Sequence, residues 1–167
     1  KENEMFTQNA QQKRKTQYYQ NNKDLITKSS GTFAAQRDIL FLCASNIQVF
    51  NKIKTILSAE DFTEEIYKKV YEKIDLLHQK SAVVFPAELV NYFELPEEQK
   101  IVTEIFAVAL QYKSTKEIEK ALTEEVKTLK RTSLDKLASQ AQSVEQIKKL
   151  IAEKGKLDSL YITIADG

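Results

Sequence analysis

Few residues of this chain could do chemistry. A single histidine, His78, and a single cysteine, Cys43, cannot assemble a zinc site of the usual Cys and His kinds within one chain. His78, in Leu77-His78-Gln79-Lys80 at a predicted helix end, has the right type for a general base, but a helix C-terminus favours a histidine there without any catalytic role. Cys43 lies between Leu42 and Ala44 in an apolar run and reads as a small core hydrophobe rather than a nucleophile. The carboxylate pairs Glu64-Glu65, Glu97-Glu98 and Glu124-Glu125 are sequence neighbours, hence about 100° apart on a helix, and do not form the one-face pair that acid/base or di-metal work prefers. They read as first-turn or solvated charges. Gly31, Gly155 and Gly167 are isolated, which excludes a Gly-rich phosphate loop. Tyr67 and Tyr71 have the i,i+4 spacing of a stacking pair and equally of a core stripe, the reading preferred here. Lys13-Arg14-Lys15 ahead of Tyr18-Tyr19 has the cations and rings that suit single-stranded nucleic acid, though short basic runs are common in soluble tethers. No catalytic set, resident cofactor or metal emerges.

The elements that would position such residues are helical. Across 167 residues there are only three Gly and two Pro, too few for a many-turned β protein, and charged residues make up 29% in the mixed pattern of solvated helix faces. The length suits one domain with a sizeable core and a small appendage. Residues 1–30 carry 6 Lys and Arg against 3 Asp and Glu, whereas 31–167 carry 19 against 21, so a tail of +3 precedes a body of −2. Neither value demands a nucleic-acid partner. The longest strictly apolar runs, 39–44 and 105–110, are six residues each and cannot span a membrane. With one cysteine and no secretory segment, a cytoplasmic location is expected. The chain begins at Lys1 rather than Met and is expected to be part of a longer one.

Residues 1–30, rich in Gln, Asn and Lys, lack a sustained apolar period and are expected to form a linker or arm. Thr32 is the expected N-cap of a helix through Ala44, central because 39–44 is apolar all round. Ser45 or Asn46 should cap a second helix bearing Val49, Phe50 and Ile53. After a turn at 57–62, Thr63 with Glu64 and Glu65 should open a third, burying Ile66, Tyr67, Val70, Tyr71, Ile74 and Leu77. Pro86 and Pro96 sit where a first turn tolerates a missing N–H and punctuate two more helices, the second running to about Leu110.

A long helix from Ser114 to about Gln142 then changes face. Ile118, Leu122, Val126 and Leu129 fall within roughly 80° of one another, while Leu134, Leu137, Ala138 and Ala141 cluster about 115° further round. The shift occurs at Lys130-Arg131-Thr132-Ser133, where Thr and Ser could also mark a break. The first set should close a bundle; the second should face a segment that begins at Ser143 and carries Val144, Ile147, Leu150 and Ile151. Residues 113–156 hold 11 Lys and Arg against 7 Asp and Glu. Leu157, Leu160, Tyr161 and Ile164 form a terminal apolar strip with basic flanks, suited either to docking another protein or to packing on Leu134, Leu137 and Ala141. The expectation is an all-α protein, a six-helix bundle whose long helix leads into a C-terminal helical hairpin. Its parts would be an arm at 1–30, a bundle at 31–129 and a hairpin at 130–167.

This layout resembles the C-terminal, helicase-binding domain of bacterial replicative DNA primases, whose bundle is similar to the N-terminal domain of the replicative helicase. The resemblance rests on Ala35-Gln36-Arg37-Asp38-Ile39-Leu40-Phe41-Leu42, on Leu57 through Phe62 ahead of Tyr67, Val70, Tyr71 and Ile74, and on the long helix with its terminal hairpin. It covers about Thr32 to the end; the family often has Glu where Gln36 stands. It implies a non-catalytic module, monomeric when free, that docks primase on the hexameric helicase at the replication fork. Zinc and divalent metal would belong only to upstream domains of a parent that makes RNA primers, and nucleic acid would be met through those domains or weakly through the basic tail. The implied helicase-binding candidates are Lys130, Arg131, Leu134, Leu137, Lys148, Lys149, Lys156, Leu157, Leu160, Tyr161 and Ile164. Two alternatives stand beside it: the N-terminal domain of the helicase itself, and a helical nucleic-acid-binding module using Lys127, Lys130, Arg131 and the tail.

Overall fold

The computed structural model describes residues 30–107 and 110–164, and the predicted arm at 1–30 lies, but for its last residue, outside them. Among the described residues the regular structure is helical, with seven α-helices. α1 (Ser30–Ser45) is the central element, with Ile39, Leu40, Cys43 and Ala44 buried, and it touches α2 (Ile47–Lys54), α3 (Glu65–His78), α5 (Pro96–Phe106) and α6 (Thr115–Gln140). α4 (Pro86–Val90) packs against α3 and α5. The six-helix bundle read from the sequence is therefore the fold, with α7 (Val144–Lys156) folded back on the far half of α6 as a hairpin.

Local chemistry fixes the helix starts. Asn46 caps α2, its Oδ1 accepting from Gln48 N at 2.8 Å; Ser114 and Ser143 cap α6 and α7, accepting from Glu117 N and Gln146 N. Pro86 and Pro96 occupy first turns. Two expected starts differ. Thr32 lies inside α1 rather than capping it, its carbonyl accepting from Gln36 Nε2 at 3.2 Å. Thr63 does not open α3, because it is held by the fully buried Gln36: Thr63 N donates to Gln36 Oε1 at 2.8 Å and Gln36 Nε2 donates to Thr63 Oγ1 at 2.9 Å. An amide can donate and accept at once, an exchange that a carboxylate at this position could not complete. α5 ends at Phe106, short of Leu110, its last turn tightened by an Ala107 N to Glu104 O bond.

α6 runs unbroken through Lys130-Arg131-Thr132-Ser133, about 39 Å at the standard helical rise. Its first half closes the bundle through Leu122, Val126 and Leu129, all fully buried. After α7 the chain makes a short 3-10 turn, Leu157–Ser159, then continues without regular structure through residues 160–164. This last stretch does not stay with the hairpin. Ile162 enters the bundle core, Leu160 and Ile164 pack on its edge, and Ile162 N and Ile164 N donate to Thr123 Oγ1 and Glu119 Oε1 of α6 at 3.0 and 2.8 Å. The boundary expected at residue 130 is thus crossed by residues 160–164, which strap the hairpin to the bundle.

Candidate functional site

Of the residues first considered for chemistry, Lys13-Arg14-Lys15 and Tyr18-Tyr19 lie outside the described residues, and the histidine, the cysteine and the tyrosine pair are spent on structure. His78 is buried, stacked on Phe50 with ring centroids 5.1 Å apart, and its Nε2 and Nδ1 lie 2.7 and 3.0 Å from the carbonyl oxygens of Cys43 and Ser81. It therefore ties α3 to α1 and to the loop before α4. Burial pushes the Cys43 thiol far above its ordinary value, away from the reactive thiolate. Tyr71 donates to Leu57 O at 3.2 Å and packs against Phe50 and Phe62, while Tyr67 meets Phe33 edge-on. Glu98 is buried with Lys69 at 3.3 Å, and Glu124 meets Lys127 at 3.5 Å. Glu125 has Oε2 enclosed, with no N–H or hydroxyl donating to it; burial first, then the charge of the Asp38 carboxylate and a hydrogen bond with it, pushes it up to about 8. Among the described residues there is no group of three or more His, Cys, Asp or Glu able to hold a metal ion.

The hairpin is different in kind. Starting from Val144, Ile151 and Ile147 follow at about 340° and 300° around α7, a single stripe. The stripe is open at two of its three members and more than half covered at the third: Val144 is 69% exposed, Ile151 64% and Ile147 38%, while Leu137 on α6 is 49% exposed. The contacts to α6 come from the edge next to Ile147, carrying the half-buried Leu150 at about 240°, Lys154 at about 280°, which meets Asp135 at 2.7 Å, and the buried Leu157 just past the helix. Exposed Lys148 borders the stripe, at about 40° from Val144, with exposed Lys149 beyond it.

No family model, curated protein or solved structure matches this chain. The site must therefore be read from its own geometry, and the eleven candidates sort into three groups. Leu134 and Leu157 are buried within the hairpin, and Leu160 and Ile164 pack on the bundle. Lys130, Arg131 and Lys156 are engaged with Asp61, Asp158 and Glu153, at 2.9, 3.0 and 2.7 Å. Leu137, Lys148, Lys149 and Tyr161 remain on the surface. The terminal strip is thus turned inward apart from Tyr161, because its extended backbone alternates faces where a helical period would have kept them together. Val144, Ile147 and Ile151, absent from the candidates, are the exposed apolar residues of the hairpin that sequence reasoning passed over. Periodicity marked their face as apolar and could not say whether anything covered it.

A second exposed apolar region lies around α4, with Phe85, Val83 and Tyr92 near a shallow groove of ≈ 380 Å³ between α4 and α5. No helix among the described residues is long and apolar enough to cross a membrane.

Proposed function

We propose that this chain is a non-catalytic interaction module that docks a bacterial DNA primase onto the hexameric replicative helicase, recruiting primer synthesis to the fork. One observation carries the reading: the outer face of α7, an amphipathic helix on a thin hairpin, presents Val144 and Ile151 largely uncovered beside Lys148, with Ile147 partly exposed at its inner edge. A helix buries such a face when it can, and contiguous apolar surface left in water marks an interaction site. The all-α bundle with a terminal hairpin agrees with the resemblance found in the sequence. The docking surface is now assigned to Leu137, Val144, Ile147 and Ile151 with Lys148 and Lys149 at the rim, rather than to the terminal strip.

In this role the module supplies proximity. Tethering raises the local concentration of the primase active site at unwound template, so that a modest contact is sufficient. Unequal contact with the helicase's conformational states would also bias its activity. The nucleic-acid reading loses ground because Lys127, Lys130 and Arg131 each face a carboxylate. Its test is a salt titration of DNA binding, where phosphate contacts would give a steep slope.

The proposal is tested by passing the full chain over immobilised cognate helicase. Retention is expected for the native chain and for a Phe85→Ser variant at the α4 surface, and is lost in an Ile147→Ser, Ile151→Ser variant. Failure of the native chain to be retained would overturn it. Truncation near residue 130 is a poor test, since it also removes Ile162 from the bundle core.

A further inference from the structure

The bundle holds one buried carboxylate whose partners lie on α6 at the point where that helix leaves the core. Asp61, only 5% exposed, ends the 3-10 turn Ala59–Asp61 between α2 and α3. Its own turn accounts for two hydrogen bonds, from Ser58 N at 2.9 Å and Ser58 Oγ at 3.4 Å. The others arrive from about seventy residues away: Lys130 Nζ donates to both oxygens at 3.0 and 2.9 Å, and Ser133 Oγ donates at 2.6 Å. Lys130 and Ser133 are three apart, so they share one face of α6, and both come from the polar quartet where the apolar stripe changes side.

That stretch of α6 is intrinsically weak as a helix. Thr128 and Thr132 turn their hydroxyls back onto Glu124 O and Thr128 O at 2.8 and 3.0 Å, a pattern that loosens and bends helices. Ser133 follows directly, and Ser and Thr are poor helix formers because their side chains compete for backbone groups. Beyond Leu134, α6 has no buried residue to hold its direction. Among the described residues the returning leg meets the bundle through residues 160–164, where Ile162 enters the core and Ile162 N and Ile164 N donate to the first half of α6.

We infer that Asp61 is a positioning latch: by gripping Lys130 and Ser133 it keeps α6 straight through residues 130–133 and sets the direction in which the hairpin projects. Lys136, one turn further along, adds an attraction toward Glu64, where it opposes the upward push of burial on that carboxyl. A buried carboxylate with this many donors is geometrically exacting, so the latch has one seated arrangement rather than a continuum. The inference concerns orientation and stands whether or not the hairpin's partner is the helicase.

The test is a distance measurement on the full chain. Nitroxide labels are placed at exposed Lys52 on α2 and exposed Lys149 on α7 through cysteine substitutions, with Cys43 left in the core, where it is inaccessible to label. Pulsed dipolar spectroscopy is expected to give a single narrow distribution in the native background. In Asp61→Asn it should broaden at least twofold or gain a second distance, while cooperative thermal unfolding shows the bundle intact. Ser133→Ala, which leaves the Asp61–Lys130 pair in place, should broaden it less and serves if Asp61→Asn does not fold. An unchanged distribution in a folded Asp61→Asn, or in Ser133→Ala where only that variant folds, would overturn the inference.

Discussion

The two halves of α6 belong to one continuous helix and meet opposite fates. Before Lys130 its apolar residues are sealed against α1, with Leu122, Val126 and Leu129 fully buried. After Ser133 only Leu134 is fully covered, and the helix packed against it, α7, has nothing more covered than the half-buried Leu150 and Lys154. The contrast separates stability from recognition. A bundle whose side chains interlock around α1 can hold itself together, whereas a two-helix hairpin with so little core depends on what it is attached to. Apolar residues in the first region are there to fold the chain, and those in the second are available to something outside it.

If that division is right, the largest stability effects come from the bundle. Phe62→Ala should cost about 3–5 kcal/mol in urea unfolding, since Phe62 is packed against Tyr71 beneath the latch turn. Ile151→Ala on α7 should stay within about 0.5 kcal/mol. Comparable losses from the two would erase the distinction. Next in size is Ile162→Ala. It follows the hairpin in sequence but sits in the bundle core, and should cost about 2–4 kcal/mol. A loss as small as that of Ile151→Ala would return residues 160–164 to the hairpin.

A smaller effect depends on pH. Glu125 is raised from 4.5 to about 8 by burial and by Asp38, so the folded state favours its neutral form. That contribution is fully present below about pH 4.5 and is lost as pH rises toward 8. Between pH 5 and pH 8 the native chain should lose about 3 kcal/mol more stability than Glu125→Gln, which stays neutral throughout. Urea midpoints at three pH values decide this, and parallel profiles would refute it. The α7 counterpart, Glu153, is on the surface and held below its ordinary value by Lys156, so Glu153→Gln should leave the slope over pH 5 to 8 unchanged.

Most of the bundle was legible in the sequence because its signals are local. Asn46, Ser114 and Ser143 announced helix starts, Pro86 and Pro96 marked first turns, and the period of Ile66 to Leu77 named a face that is buried as expected. The long helix and its change of stripe were also readable. What was not readable depends on distant partners. Nothing near Asp61 signals that Lys130 and Ser133 will reach it, and nothing near Ile162 signals that an extended segment will cross back to Thr123. The Thr63 start failed for the same reason, since Gln36 claimed its side chain from 27 residues away. On the outer face of α7 the period of Val144, Ile147 and Ile151 was visible, but coverage is a property of the assembled molecule.

The most direct measurement is the affinity of the full chain for the cognate replicative helicase, by calorimetric titration, for the native protein and for Val144→Asp, Ile151→Asp. The account predicts at least a tenfold loss of affinity for the double variant with an unchanged unfolding midpoint, because the substituted side chains are already in water. Native affinity in the folded double variant would contradict the assignment of α7's outer face as the docking surface.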